Sequence, residues 1–329
     1  MMNDKPCYKY VFVVGFDKDV HDSELTLYSF VNNNVSIIDN SKIAMMPSSC
    51  SFDCRNKLLY VTDEMNNMQG KIVVYDLSNN SLKCVQLYNT HGSNPCYIEL
   101  DKTMRQLNVC HYTYGGFQTF QLNDFGVIQK KNNGILIEDS CHFCLNLNCG
   151  YVLFHTQENR ISIISHDSFS LVRSMNIHSP RKGVYICSHG FLYVLSEHRS
   201  IVTVVNINTM SIVQEVCTAK SREAINSPSS ILLSNDGRHL IISNRGENSI
   251  VSFNIDLKSG FLSEFMVLYS GNGKCPRDIS ISFDDRILAV AFKESNYIEL
   301  FEIGFDFSCL SSITRITSYA PIGISFLDL

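Results

Sequence analysis

Arg245 ends the apolar run "HLIISNRG" and is followed at once by a glycine that lets the backbone turn. Other apolar runs end in the same abrupt way: "KLLYVTDE" on Glu64, "RQLNVCHY" on Tyr112, "GFLYVLSE" on Glu197 and "RILAVAFK" on Lys293. A second set stands just past a turn, with Arg181 and Lys182 in "SPRKGVYI", Arg277 in "CPRDISIS" and His142 in "SCHFCLN". These residue types suit one kind of chemistry. Histidine carries protons near neutral pH. The planar fork of arginine holds anions and developing oxyanions, and a carboxylate between two arginines stays ionised with a lowered pKa. Gathered in one concavity, they have the form of an anion-binding catalytic site. Any one of them alone reads better as part of a solvated rim of charge pairs, so the case depends on the chain bringing them together.

The spacing indicates that it does. Runs of the first kind end at residues 16, 64, 112, 156, 197, 245 and 293, at intervals of 48, 48, 44, 41, 48 and 48. A turn followed by an alternating strand recurs in step with them: "MPSSCSF", "NPCYIEL", "SCHFCLN", "SPRKGVYI", "SPSSILLS", "CPRDISIS" and "APIGISF". Pro47, Pro95, Pro180, Pro228, Pro276 and Pro321 mark this phrase, and Cys141 takes the proline's place in the third unit. Proline suits a strand's first residue, where its missing N–H costs no ladder bond. A third strand ("KIVVYDL", "SIVSFNI") and a weaker fourth ("SLKCVQLY", "LSEFMVL") complete most units, and helical periodicity is nearly absent. Four antiparallel strands per unit of roughly 40–50 residues indicate an all-β fold, a β-propeller of seven blades in one domain over residues 1–329. The chain starts on a second-type strand (residues 8–16) and ends on an unpaired first-type strand, so the two ends are expected to share a blade and close the ring. First strands line a propeller's channel, and their starts lie at the same end as the ends of the second strands. The residues named above should therefore meet at one mouth.

Composition narrows the function classes. Apolar residues make up 45% of the 329, charged ones 18%, and the net charge is -5, which suits a folded protein and disfavours nucleic acid as the main partner. No run reaches the ~20 apolar residues of a membrane helix, and the N-terminus carries no signal-peptide pattern. The thirteen cysteines are scattered through apolar runs and read as reduced core residues of a cytoplasmic protein. "CHFC" suggests zinc, but on a regular strand Cys141 and Cys144 would face opposite ways, so no metal or cofactor is expected. The absence of tryptophan disfavours WD repeats.

The segments "PSSILLSNDGRHLIISNRGENSIVSFNI", "CPRDISISFDDRILAVAFKESNYIELFEI" and "SPRKGVYICSHGFLYVLSEHRSIVTVV", together with "DSCHFCLNL" and "CHYTYGGFQTFQL", resemble the seven-bladed propeller lactonases. That family includes bacterial propeller-type 6-phosphogluconolactonases and fungal carboxy-muconate lactonizing enzymes. The resemblance implies that His142, Arg181, Glu197 and Arg245 are active-site residues, all four of which already belong to the mouth set. A small anionic lactone is then the expected substrate: arginine chemistry suits Arg181 and Arg245 to its anion and oxyanion and places Lys182 and Arg277 as phosphate contacts, and Tyr112 and Glu64 of the mouth set are expected as further substrate contacts. His142 is favoured as base and Glu197 as the group that orients water. Lys182 stands where the family has histidine, "HTQEN" (155–159) departs from its pattern, and "VVGFDKDVHDSEL" lacks its Gly-Thr-Tyr-Thr phrase. The implied reaction is opening of 6-phosphogluconolactone. The alternatives are a lactonizing enzyme for a plain carboxylate such as a muconate, or a non-catalytic binding platform.

Overall fold

The computed structural model describes residues 9–16, 24–131, 140–220 and 226–328. They form seven four-stranded antiparallel sheets, with two short 3₁₀ turns at Lys293–Ser295 and Phe305–Phe307. Six sheets are consecutive in sequence, over residues 47–89, 93–131, 143–176, 180–217, 228–269 and 276–317, and are blades one to six here. The first strand of each blade packs against the first strands of its neighbours, which makes the inner ring. Second strands such as Leu58–Asp63, Gly150–His155, His239–Asn244 and Ile287–Phe292 are buried along their whole length. They are covered on both faces by adjacent blades, which is why they read as unbroken apolar runs. Fourth strands are outer edges; Leu171–Asn176 is almost entirely exposed, which accounts for its weak pattern. No helix among the described residues is long and apolar enough to cross a membrane.

The seventh blade joins both chain ends, in the order Pro321–Leu327, Lys9–Phe16, Leu25–Val31, Asn34–Ser41. Strand alternation lets Lys9–Phe16 seal two seams at once. Val11 and Val13 pack with Leu59, Val61 and Val73 of blade one, while Phe12 and Val14 pack with Ile287, Ala289 and Ile298 of blade six. Gly15 and Gly323 pair directly, and both lie against the backbone of blade one. A Cβ on Gly15 would sit 1.8 Å from the Pro47 carbonyl oxygen, and one on Gly323 2.5 Å from that of Ser48. The closing seam thus brings backbone against backbone, and only glycine fits.

The prolines do more than open strands. Pro47, Pro180, Pro228, Pro276 and Pro321 are the first residues of their inner strands, while Pro95 lies two residues into Ser93–Asp101. In the six blades that carry this proline (one, two, four, five, six and the closing blade) the pairing slips just after it, which leaves a β-bulge at Ser48/Ser49, Cys96, Arg181, Ser229, Arg277 and Ile322. A bulge bends the strand and re-aims the extra side chain. A backbone clasp holds the same place: the N–H groups of Glu64, Glu197, Arg245 and Lys293 donate to the carbonyls of Met46, Ser179, Ser227 and Cys275 at 2.9, 2.9, 3.2 and 3.0 Å. Starts of first strands and ends of second strands therefore meet at one mouth, as the spacing predicted.

Ending the chain at Tyr319 removes the inner strand of the closing blade and exposes the pairing edge of Lys9–Phe16. Such a truncation should abolish the single cooperative thermal transition of the full chain. Gly15→Ala should lower stability by about 1–3 kcal/mol, the usual cost of forcing atoms into filled space, measured by denaturant unfolding.

Candidate active site

At the mouth a cavity of about 210 Å³ opens into the channel. Of the residues expected there, Glu64, His142, Arg181, Lys182 and Arg277 line it, joined by Cys96, Ser49, Ser230 and Asp278. Glu197, Arg245, Tyr112 and Lys293 are not among the lining residues. Arg245 was expected to point into the pocket; instead its Nη2 meets Glu197 Oε1 and its Nε donates to the Ser227 carbonyl at 3.0 Å. Bound on both sides, it stands behind the cavity wall.

Glu197 is the centre of that wall. Its side chain is only 10% exposed, and one oxygen, Oε1, accepts from Arg245 and from Arg181 Nη1 at 2.9 Å. Burial alone would raise the Glu197 pKa, but the two guanidiniums and their hydrogen bonds outweigh it and hold the carboxyl down at about 2. A carboxylate so stabilised is a poor base and a good anchor. Arg181 is fixed further by Nε donating to the Ser229 carbonyl at 3.0 Å, which leaves Nη2 buried with no partner. The preceding turn is tied to blade three, where Thr156 Oγ1 donates to the Pro180 carbonyl at 2.6 Å and Ser179 N–H to Asn159 Oδ1 at 2.7 Å. The divergent "HTQEN" segment therefore helps place Arg181.

His142 comes from blade three, just ahead of the strand Phe143–Leu147, and its N–H is held by the Phe154 carbonyl at 2.9 Å. The ring of Tyr112 stands edge-on to the imidazole with centroids 5.7 Å apart, so Tyr112 orients His142 and does not line the cavity. Burial, reinforced by Arg181, Arg277, Lys182 and Arg245, pushes the His142 pKa well below its ordinary value. The ring is neutral at physiological pH, and its Nδ1 is buried without a hydrogen-bond partner. A neutral imidazole has a lone pair with which to accept a proton, and the burial and cations that keep the ring neutral also lower its basicity.

Lys182, expected at a substrate phosphate, is already engaged. Its ammonium reaches past Ser230 Oγ, at 3.3 Å, to Asp278 Oδ1 at 3.1 Å. Arg277 makes one weak side-chain contact, Nη1 to Ser229 Oγ at 3.4 Å, and has no carboxylate partner among the described residues. Of the three described cations that line the cavity, Arg181 pairs with Glu197 and Lys182 with Asp278, and Arg277 alone has no carboxylate partner. The argument from alternating faces in "CHFC" also fails, because Cys141 precedes the strand. Cys141 and Cys144 both adjoin Cys110 in one buried cluster, and burial together with these thiols pushes the Cys110 pKa far up. No group of three or more histidine, cysteine or acidic residues that could hold a metal occurs among the described residues. The stretch 17–23, which covers most of the altered N-terminal phrase, lies outside them.

Asp278, Ser229 and Ser230 were missed from sequence. The signal was present, since each lies one or two places past a recurrent proline, at the level of Arg181 and Lys182. Small or acidic residues in "SPSS" and "CPRD" simply do not announce a role without knowledge of what crosses the channel to meet them.

Residues 12–140 and 155–326 match the family model described as Lactonase, 7-bladed beta-propeller. The chain belongs to that family. A 6-phosphogluconolactonase from Formosa agariphila is 26% identical over 317 residues, covering 87% of this chain and 86% of the relative. One from Bacillus subtilis is 21% identical over 338 residues, covering 92% and 94%. The solved periplasmic gluconolactonase of Pseudomonas aeruginosa superposes with a TM-score of 0.84 at 17% identity, over 97% of this chain and 99% of that one, a likeness of fold.

Because the folded pKa of Glu197 lies below its ordinary 4.5, its contribution is complete above that pH and is lost as pH falls toward about 2. Glu197→Gln leaves two guanidiniums facing a neutral amide and should cost ~3–5 kcal/mol at pH 7, as breaking buried pairs does. Unfolding curves of the two proteins should converge as the pH drops from 4.5 toward 2.

Proposed function

We propose that this lactonase hydrolyses a six-carbon sugar δ-lactone carrying a phosphate, 6-phosphogluconolactone, to the open-chain acid. One observation carries the reading: His142 and Arg181 line the same cavity, and each keeps a buried nitrogen, Nδ1 and Nη2, without a partner. Unpartnered buried polar atoms are costly and are tolerated where a ligand satisfies them. The names of the relatives from Formosa agariphila and Bacillus subtilis support the substrate.

In the proposed mechanism neutral His142 takes a proton from water as its oxygen bonds to the lactone carbonyl carbon. The electron pair displaced onto the carbonyl oxygen is met by Arg181, whose guanidinium Glu197 and Arg245 hold in place. As the tetrahedral species collapses, the ring C–O bond breaks and the imidazolium returns its proton to the departing ring oxygen. One water is consumed and a hydroxy acid is formed. Arg277 takes the phosphate. Glu197, with its pKa held at about 2, positions Arg181 and plays no part as base.

His142→Ala should lower kcat by about 10²–10⁴, the range for loss of a general base. Arg277→Ala should raise KM for 6-phosphogluconolactone far more than for unphosphorylated gluconolactone. The acid limb of kcat/KM should fall below pH 6.5, the ordinary histidine value, because His142 is held neutral. Full activity in His142→Ala would end this reading.

A further inference from the structure

Beneath the catalytic level the cavity wall changes character. Arg181, Arg277 and His142 stand at the first position past the turn. Lys182, Ser230 and Asp278 stand at the next, on three consecutive inner strands. The Lys182 ammonium spans blade five to reach Asp278, with Ser230 Oγ beneath it. Asp278 Oδ2 accepts the Ile324 N–H of the closing blade at 3.3 Å. Side chains in this bridge are only partly covered, 25% exposed at Lys182 and 16% at Asp278, and both line the cavity. Ser49 and Ser280 line the same cavity, and their hydroxyls, which accept the backbone N–H groups of Ile98 and Phe326, keep a proton to donate.

This is an unusual surface to place beside an anion site. An ion pair that is neutral overall gives no net attraction for a second anion. A carboxylate with lone pairs to spare accepts hydroxyl protons, and an ammonium with a third N–H donates to hydroxyl oxygens. Serine hydroxyls do both. A wall of alternating donors and acceptors with no net charge matches a chain of vicinal hydroxyls, each of which is at once donor and acceptor.

We infer that Asp278 and Lys182, with Ser230, form a polyol-recognition site that selects lactones carrying several ring hydroxyls over unadorned ones of the same ring size. This deepens the lactonase reading and rests on it. Arg277 would then discriminate by charge, and the Lys182–Asp278 bridge by hydroxylation.

The test compares wild type, Asp278→Asn and Lys182→Gln on gluconolactone and on δ-valerolactone, which has the same six-membered ring and no hydroxyls. The ratio of kcat/KM for the hydroxylated over the plain lactone should fall about 10–100-fold in Asp278→Asn, because a site built to bond hydroxyls discriminates strongly when its partners are intact. It should fall in the same direction in Lys182→Gln. Equal losses on both substrates mean a structural role, and an unchanged ratio means no role; either overturns the inference. Calorimetric titration with gluconate and with hexanoate reads the same selectivity without turnover. Wild type that binds gluconate no better than hexanoate overturns it too. Wild type that prefers gluconate, with that preference lost in Asp278→Asn, upholds the site even if no lactone is opened, an outcome that would sink the lactonase reading alone.

Discussion

The active mouth depends on one backbone feature, the extra residue that follows the turn proline of nearly every inner strand. The slip after each proline frees one residue from the ladder, and a bulge re-aims the side chain it carries. Arg181 and Arg277 are two such residues, and Ser229, bulged between them, supplies a carbonyl to one and a hydroxyl to the other. Blade three achieves the same end differently: its strand starts late, so His142 precedes the ladder altogether. The cationic and basic groups meet because the same defect recurs around a ring.

Electrostatics then sets their states. Glu197 and His142 share a set of cations and respond oppositely. The carboxylate is stabilised in its charged form by two guanidiniums in contact with it, whereas the imidazole, buried and surrounded at longer range, is stabilised as neutral. Each outcome serves the proposed reaction. An anchored carboxylate keeps Arg181 in place without competing for protons, and a neutral ring stays ready to accept one. Arg245 and Tyr112 act one layer back, the first by completing the clamp on Glu197 and the second by packing on His142.

Closure of the ring ties these sites to stability. Val11, Phe12, Val13 and Val14 of the closing blade are buried alternately against blades one and six, and its Gly15–Gly323 pair leaves no room for a Cβ beside Pro47 and Ser48. The same blade lends its Ile324 N–H to Asp278, so the carboxylate that pairs with Lys182 is itself held by the closing blade.

Much of this was legible in the residues. A phased repeat can satisfy its apolar faces only by stacking on copies of itself, so the intervals between runs carried the blade number, the strand order and the sharing of one blade by both chain ends. The same phase put His142, Arg181, Glu197, Arg245 and Arg277 at one mouth, because position along a strand is a local property. Direction is not. Whether Arg245 enters the cavity or turns back to Glu197, whether Lys182 is free or joined to Asp278, and whether Cys141 sits on the strand or ahead of it are decided by groups from other blades and by where the ladder slips. Those partners lie 48 residues from Arg245 and 96 from Lys182, a separation at which only the closed ring determines what touches what.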